Sequence, residues 1–339
     1  MSRIRDFHIN DWVLSMGKKK SGLVFAYILD GGAGKAMNWD RISSWEPGQG
    51  ILWLHLDYAD EGARQWLVEE SGLDEVACAA LMAEETRPRV LSSGASLLLI
   101  LRGVNFNPGA DLEDMVAIRM WFEEHRIISM RHRRVMAMDD INKSIQAGKG
   151  PDSISDFVVM AVSKLTDRLA DVISDIDDSV DELEDTVLTE ESHELRPKLA
   201  HLRRQTISMR RYISPQRDVL ARLQNERVPW LNEVDRVRIR ELAERTARFV
   251  DDLDSARDRA AITQEELNNA LSEKMNKTMY VLSIVAAIFL PLGLFTGLLG
   301  INVGGIPGTE NSSAFALVSV MLLVFAFAQY ILFKKMKWI

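Results

Sequence analysis

Two apolar runs without a charged side chain, Tyr280 to Leu299 and Ala314 to Phe333, fall near the end of a 339-residue chain. At about 1.5 Å per residue, a helix of roughly 20 residues crosses a hydrocarbon core of about 30 Å. Backbone inside lipid must satisfy its own hydrogen bonds, so each run is read as one transmembrane helix. The segment 300–313 between them is too short for a domain and carries one charge, Glu310. Lys274, Lys277, Lys334, Lys335 and Lys337 flank the opposite ends of the pair. The positive-inside rule then places both termini in the cytoplasm and the glycine-rich loop outside. Ile4 to Leu14 is broken by Arg5, Asp6, His8, Asn10 and Asp11, which does not make a signal peptide, so everything before the hairpin is expected in the cytosol.

Outside the hairpin the composition is that of ordinary soluble protein, with 27% charged residues and length enough for more than one core. A net charge of −8 argues against nucleic acid as the main partner. A single cysteine, Cys78, excludes an intramolecular disulfide and any CxxC motif, and is read as a core residue. There is no GxxxxGK[ST], HExxH or GxSxG. Gly31-Gly32-Ala33-Gly34-Lys35 imitates a phosphate loop in composition only and is read as a turn. No catalytic constellation emerges, so the chain is not read as an enzyme.

The expected class is an α+β membrane protein. Leu23 to Leu29, Ile51 to Leu56, Leu97 to Leu101, Val116 to Phe122 and Ile127 to Met130 are short apolar runs that suit strands. Glu61 to Glu70 and Leu73 to Glu84 have helical spacing, and Asn105 to Gly109 makes a turn between strands. Gly148-Lys149-Gly150-Pro151 marks the end of this α/β domain.

From Ile154 the pattern is helical alone. Ile154, Val158, Ala161, Leu165, Leu169, Val172, Ile176, Val180, Leu183 and Val187 follow an eleven-residue repeat, about 3.67 residues per turn. Asp167, Asp171, Asp175, Asp178, Glu182 and Asp185 lie on other faces. They are read either as a solvated face paired with Arg203, Arg204, Arg210 and Arg211 of the next helix, or as a cation-attracting ring once copies gather round an axis. Leu195, Leu199, Leu202, Met209, Ile213, Leu220 and Leu223 make a second, antiparallel helix. Pro229 reads as the first-turn proline of a third. Unbroken to Leu299, that third helix is about 70 residues and roughly 105 Å long. It carries a heptad in Leu242, Thr246, Phe249, Leu253, Ala256, Ala260, Thr263, Leu267 and Ala270.

A second heptad stripe occupies another face of the same helix. Asn276, Ser283, Leu290 and Gly297 are one series, and Met279, Ala286, Gly293 and Gly300 the other. The stripe is mostly small or polar, which lets helices approach closely in lipid, either as a helix-dimer seam or as the lining of a pore. Towards the cytosol the same two positions hold Ser272, Asn269, Glu265, Asp258 and Asp251. Carboxylates are costly in a plain helix seam, whereas round a water-filled axis they gather cations.

Several features combine here: Gly300-Ile301-Asn302 closing the first run, Pro291 within it, Asn276-Lys277-Thr278-Met279 leading into it, the terminal hairpin, and the ending Lys334-Lys335-Met336-Lys337-Trp338. Together they resemble the CorA superfamily of divalent-cation channels and transporters. Ile301 stands where magnesium channels of that superfamily usually have Met. With the glycine-rich stretch Val303 to Gly308 after it, the triplet is more similar to the ZntB zinc-transporter branch.

The resemblance implies a funnel-shaped homopentamer in a bacterial inner membrane, with five first spans lining the pore and the second spans facing lipid. It implies zinc as the transported substrate, uptake coupled to protons, and no cofactor. The alternative is a magnesium or broad-spectrum channel for Co2+, Ni2+ and Cd2+. On this reading the chain divides into a cytoplasmic α/β domain (1–150), an antiparallel helix pair (151–228), a stalk (229–279), a pore helix (280–299), a periplasmic loop (300–313), a second span (314–333) and a basic tail (334–339). Gly300, Ile301 and Asn302 form the selectivity motif. Asn276, Met279, Ser283, Ala286, Leu290, Gly293 and Gly297 line the pore, with Met279 and Leu290 as apolar constrictions or plain packing residues. Glu265, Asp258 and Asp251 line a vestibule, and Glu310 sits at the mouth. His193, among Glu190, Glu191 and Glu194, is read as either a cytosolic metal site or a solvated turn.

Overall fold

The computed structural model describes residues 21–84, 86–189, 194–301, 308 and 311–336. Strands β1 (Leu23–Asp30), β2 (Ala33–Ala36), β3 (Ile51–Asp57), β4 (Arg89–Ser93), β5 (Ser96–Gly103), β6 (Val116–Phe122) and β7 (Arg126–Arg131) form one sheet in the order β2-β1-β3-β7-β6-β5-β4. Only β3 and β7 pair in parallel; the other neighbours run antiparallel. The five strands expected from apolar runs are all present. The glycine turn is Gly31-Gly32, both with positive φ (52° and 78°), closing the β1–β2 hairpin with Asp30 opposite Ala33. A two-residue turn of this hand needs positive φ at both positions, which glycine adopts without a Cβ penalty.

Helices α1 (Trp39–Ile42), α2 (Glu61–Glu69), α3 (Glu75–Met82) and α4 (Met136–Gln146) belong to the same layer arrangement. Asp60 and Asp74 cap α2 and α3, accepting hydrogen bonds from backbone N–H groups in their first turns. Ala63, Trp66, Leu67, Ala77, Cys78 and Leu81 from these helices pack with Leu52, Leu54, Leu56, Leu98, Ile100 and Ile128 on one face of the sheet. Cys78 is buried there, as a core cysteine should be.

The opposite face receives α4 and three long helices, α5 (Ile154–Thr189), α6 (Leu195–Leu223) and α7 (Glu233–Leu299). Trp53, Leu99, Ile118, Met120 and Phe122 meet Ile141, Phe157, Val158, Leu165, Leu220 and Ile239 in a second core. The seam expected along α5 is buried throughout except Leu183, which is half-buried. The stalk heptad is buried at Thr246, Phe249, Leu253, Ala256, Ala260, Thr263 and Leu267, while Leu242 and Ala270 are half-buried.

One expectation needs correction. Helix α7 begins at Glu233, not at Pro229, which lies in the preceding turn. Asn232 is the cap: its Oδ1 accepts from Asp235 N at 2.9 Å and its Nδ2 donates to Asp235 Oδ2 at 2.7 Å. That reciprocal pair satisfies a first-turn donor better than a proline can. The acidic flank of α5 is met in part by α7. Asp167 pairs with Arg245 of α7 at 2.6 Å, and Arg259 of α7 collects Asp177 (2.9 Å), Asp181 and Glu184. Arg210 of α6 instead pairs with Asp254 at 2.6 Å.

The chain forms two compact units. One comprises 1–186 with 194–263, and the other 187–193 with 264–339. The second holds the distal part of α7 and helix α8 (Ala314–Lys335), both long and apolar enough to cross a membrane.

Candidate functional site

The hairpin of the second unit is organised by what each helix turns towards the other. On α7 the half-buried positions are Ile284, Ala287, Ile288, Pro291 and Leu292, and on α8 they include Leu322, Phe325, Ala326 and Gln329. Phe295 and Phe325 meet edge-on with ring centroids 5.5 Å apart. Pro291 has no N–H, so it cannot bond the carbonyl four residues earlier, that of Ala287. Gln329 Nε2 of α8 reaches that oxygen at 3.4 Å. In lipid a carbonyl left bare is costly, so the proline and the glutamine form one device holding the two spans together.

No residue assigned to the pore-lining stripe is among the positions half-buried against α8. Asn276, Met279, Ser283, Ala286, Leu290, Gly293, Gly297 and Gly300 are all exposed. Ser283 Oγ bonds back to Met279 O at 2.8 Å, so the hydroxyl costs nothing where it stands. A Cβ built on Gly293 or Gly297 meets no atom within 4 Å, so none of the described residues requires glycine at either place. Both spans also turn bulky side chains outward, Leu282, Phe289 and Leu294 on α7 and Phe315, Leu317, Leu323 and Phe327 on α8.

Helix α7 closes at the triplet: Gly300 N bonds to Thr296 O at 3.0 Å and to Gly297 O at 3.2 Å. Ile301 follows outside the helix, 49% exposed. Asn302 and Glu310 lie outside the described residues, as do Glu190 and His193. Glu194 is exposed at the start of α6, and among the described residues no three His, Cys, Asp or Glu side chains cluster to hold a metal ion.

Asp251 and Asp258 in the first unit and Glu265 in the second are exposed, on the flank of α7 opposite its buried heptad. Asp258 accepts from Arg257 at 2.8 Å, and Arg257 also lies 3.3 Å from Asp254, so the acidic series carries a cation of its own. Asp252, beside Asp251, has its carboxyl pushed up by partial burial and by the neighbouring charges of Asp177 and Asp251. Sequence reasoning missed Gln329, Arg257 and Asp252. A lone amide in a second span and a proline in the first give no periodic signal until the two helices are juxtaposed.

A profile of the family described as CorA-like Mg2+ transporter protein matches residues 48–335. The Zinc transport protein ZntB of Yersinia enterocolitica is 38% identical over 330 residues, covering 97% of this chain and 100% of that protein. The Divalent cation transporter CmaX of Pseudomonas aeruginosa is 40% identical over 327 residues, covering 94% of this chain and 97% of that one. The solved structure of full-length CmaX superposes with a TM-score of 0.81 at 38% identity, over 96% of this chain and 100% of that one. With the N-terminal α/β domain, the long helix and the apolar hairpin, these matches establish that the chain belongs to the CorA-like Mg2+ transporter family and is an ion transporter, not an enzyme.

Proposed function

We propose that the chain is a zinc transporter of a bacterial inner membrane, acting as a homopentamer whose five α7 helices surround the pore. The observation that carries this reading is the uncovered stripe of α7, with glycines at 293 and 297 that no contact among the described residues requires and a helix that ends at Leu299, just before Gly300. Small residues allow the backbones of neighbouring copies to approach round an axis, while the bulky outward face of α8 suits lipid. The two lysine-flanked ends of the hairpin lie on the cytoplasmic side, and segment 300–313 lies on the other. The division at 150, 228, 279, 299, 313 and 333 then separates the cytoplasmic domain, helix pair, stalk, pore helix, loop, second span and tail.

Zinc is favoured by the ZntB relatives, of which the Yersinia enterocolitica protein covers 97% of the chain, and by Ile301 within the triplet. Five Asn302 carboxamides would offer neutral oxygens that hydrogen-bond the water shell of a divalent ion without stripping it. A dehydrated zinc site would want His, Cys or carboxylate ligands, so ion selection on this reading takes place on a hydrated ion. Glu310 raises the local cation concentration at the mouth, and Glu265, Asp258 and Asp251 do so in the vestibule. Met279 and Leu290 narrow the path, while protons couple at the mouth, the vestibule or metal-bound water, since the stripe within the span holds no ionisable side chain. The 40% identity to a relative named a divalent cation transporter supports a second reading, in which the same pore passes Mg2+, Co2+, Ni2+ or Cd2+.

Asn302→Ala tests the reading. The variant should assemble with the mass of the wild type yet lose most zinc flux in proteoliposomes. Undiminished flux would remove Asn302 from the mechanism.

A further inference from the structure

The sheet face under α2 and α3 is covered unevenly. Side chains alternate along a strand, so Arg89, Leu91 and Ser93 of the edge strand β4 turn towards α3 while Val90 joins the opposite core. Leu91 pairs with Leu98 of β5, and Leu98 with Trp121 of β6, making one apolar row across three strands. Helix α3 packs on β6 and leaves the outer end of the row open: Leu91 is 57% exposed, and Val76 of α3 is 72% exposed. Between them lies a groove of about 380 Å³, walled by the alanines of α3 and floored by Leu98. A helix is about 10 Å across and strands are about 4.8 Å apart, so the width over β5 and β4 is that of one more helix in the α2/α3 layer.

The groove has a direction. Helix α3 runs from the start of β7, where Arg126 Nη1 donates to Ser71 O at 2.8 Å, to the level of Arg119, whose Nη2 donates to Ala83 O at 2.6 Å. Its first end carries Asp74 and Glu75, both exposed. At the other end stands Arg89, level with Arg119 through Ile100. Helix dipoles therefore favour an occupant whose N-terminal end lies at Asp74 and whose C-terminal end lies at Arg89.

Residues 1–20 join the domain on this same face. Ser21 Oγ donates to Asp60 Oδ1 at 2.6 Å at the cap of α2, and Asp57 N donates to Gly22 O at 2.8 Å. Asp57 pairs with Arg131 and Met130 with Arg119, so the junction is at the Arg89 end of the sheet. In the sequence, Ile9, Trp12, Val13 and Met16 fall at i, i+3, i+4 and i+7, the spacing of one helix face, and Gly17-Lys18-Lys19-Lys20 follows. Five steps from Met16 to Ser21 reach at most about 18 Å, against about 14 Å for the three strand spacings from β3 to β5.

We propose that residues 9–16 dock in this groove as a third helix of the layer, with Trp12 and Val13 between Val76 and Leu91 and with Met16 towards Arg89. Arg3 and Arg5 then lie towards Asp74 and Glu75. The short connection to Ser21 and the charges of the groove require the same direction. The docking does not depend on which cation is transported.

Photo-crosslinking of the detergent-solubilised full chain tests it, with benzoylphenylalanine in place of Trp12 and adducts mapped by peptide mass. Adducts within 74–93 are expected, migrating at the mass of one chain. Val76→Asp and Leu91→Asp, exposed positions whose folding is checked by thermal midpoint, should each cut the adduct yield about five-fold or more, because docking would bury an unpaired carboxylate. Adducts that map elsewhere in the chain, adducts that join two copies, no adduct, or an undiminished yield in either variant would overturn the proposal.

Discussion

His55 sits wholly buried in the centre of the sheet, stacked on Phe25 with centroids 4.7 Å apart. Ser129 Oγ donates its one proton to Leu54 O at 3.1 Å while accepting from Trp53 Nε1 at 2.9 Å. The 2.8 Å contact from His55 Nδ1 to the same oxygen must then be a donation by Nδ1–H, which leaves Nε2 as a bare, buried lone pair. Burial, assisted by the charge of Arg131, lowers its pKa to about 3. The folded chain therefore keeps this histidine neutral while the unfolded chain protonates it below about 6.5. Stability from this group is fully present above that pH and is lost as pH falls from 6.5 towards 3. At pH 5 the loss is about 2 kcal/mol relative to pH 7.5. The thermal midpoint of the solubilised chain should fall over that interval, and His55→Phe should make the fall smaller. An equal fall in the variant would show that other groups carry the acid sensitivity. None of this was legible in the sequence, where one histidine inside the apolar run Ile51 to Leu56 carries no sign of its partners. Arg119, likewise, is one charge in a strand otherwise read as core.

At the scale of elements, legibility followed periodicity. The seam of α5 and the heptad of α7 were readable because burial repeats along a helix wherever neighbours are helices too. Strand β2 is Ala-Gly-Lys-Ala and β4 is Arg-Val-Leu-Ser-Ser; both sit at sheet edges and are strands by pairing, not by composition. Helix α4 has no capping side chain at Val135, so its start was silent although Met138, Ile141 and Ile145 have helical spacing. In the hairpin, both runs and the small stripe were legible, whereas the Pro291 and Gln329 device was not. Gln329→Leu keeps the volume but bares the Ala287 carbonyl, and should destabilise the spans by about 1 kcal/mol, as interhelical bonds in lipid do. A thermal midpoint in detergent unchanged or raised would deny the pairing any role. On the stalk, Asp251→Asn, Asp258→Asn and Glu265→Gln together should reduce cation flux more at 0.01 M than at 0.1 M salt, where screening lengths are about 30 and 10 Å. The reduction should be partial, because Arg257 already answers Asp258. Flux unchanged at both salts would place these carboxylates off the conduction path.

For the whole molecule, one arrangement reconciles a charged α/β domain, a helix of 67 residues and a terminal apolar hairpin: an ion transporter built from repeated copies of this chain. The hairpin and the order from α/β domain to long helix to apolar helices were legible because each is constrained by the bilayer or by chain length. The choice of cation was not, because selection of a hydrated ion leaves no ligand set in the sequence and the relatives carry both a zinc name and a broader one. The most direct measurement is parallel flux of Zn2+ and Mg2+ into proteoliposomes, with and without an inward proton gradient. The account predicts zinc flux well above magnesium flux, accelerated by the gradient. Magnesium flux equal to or above that of zinc, indifferent to the gradient, would contradict it.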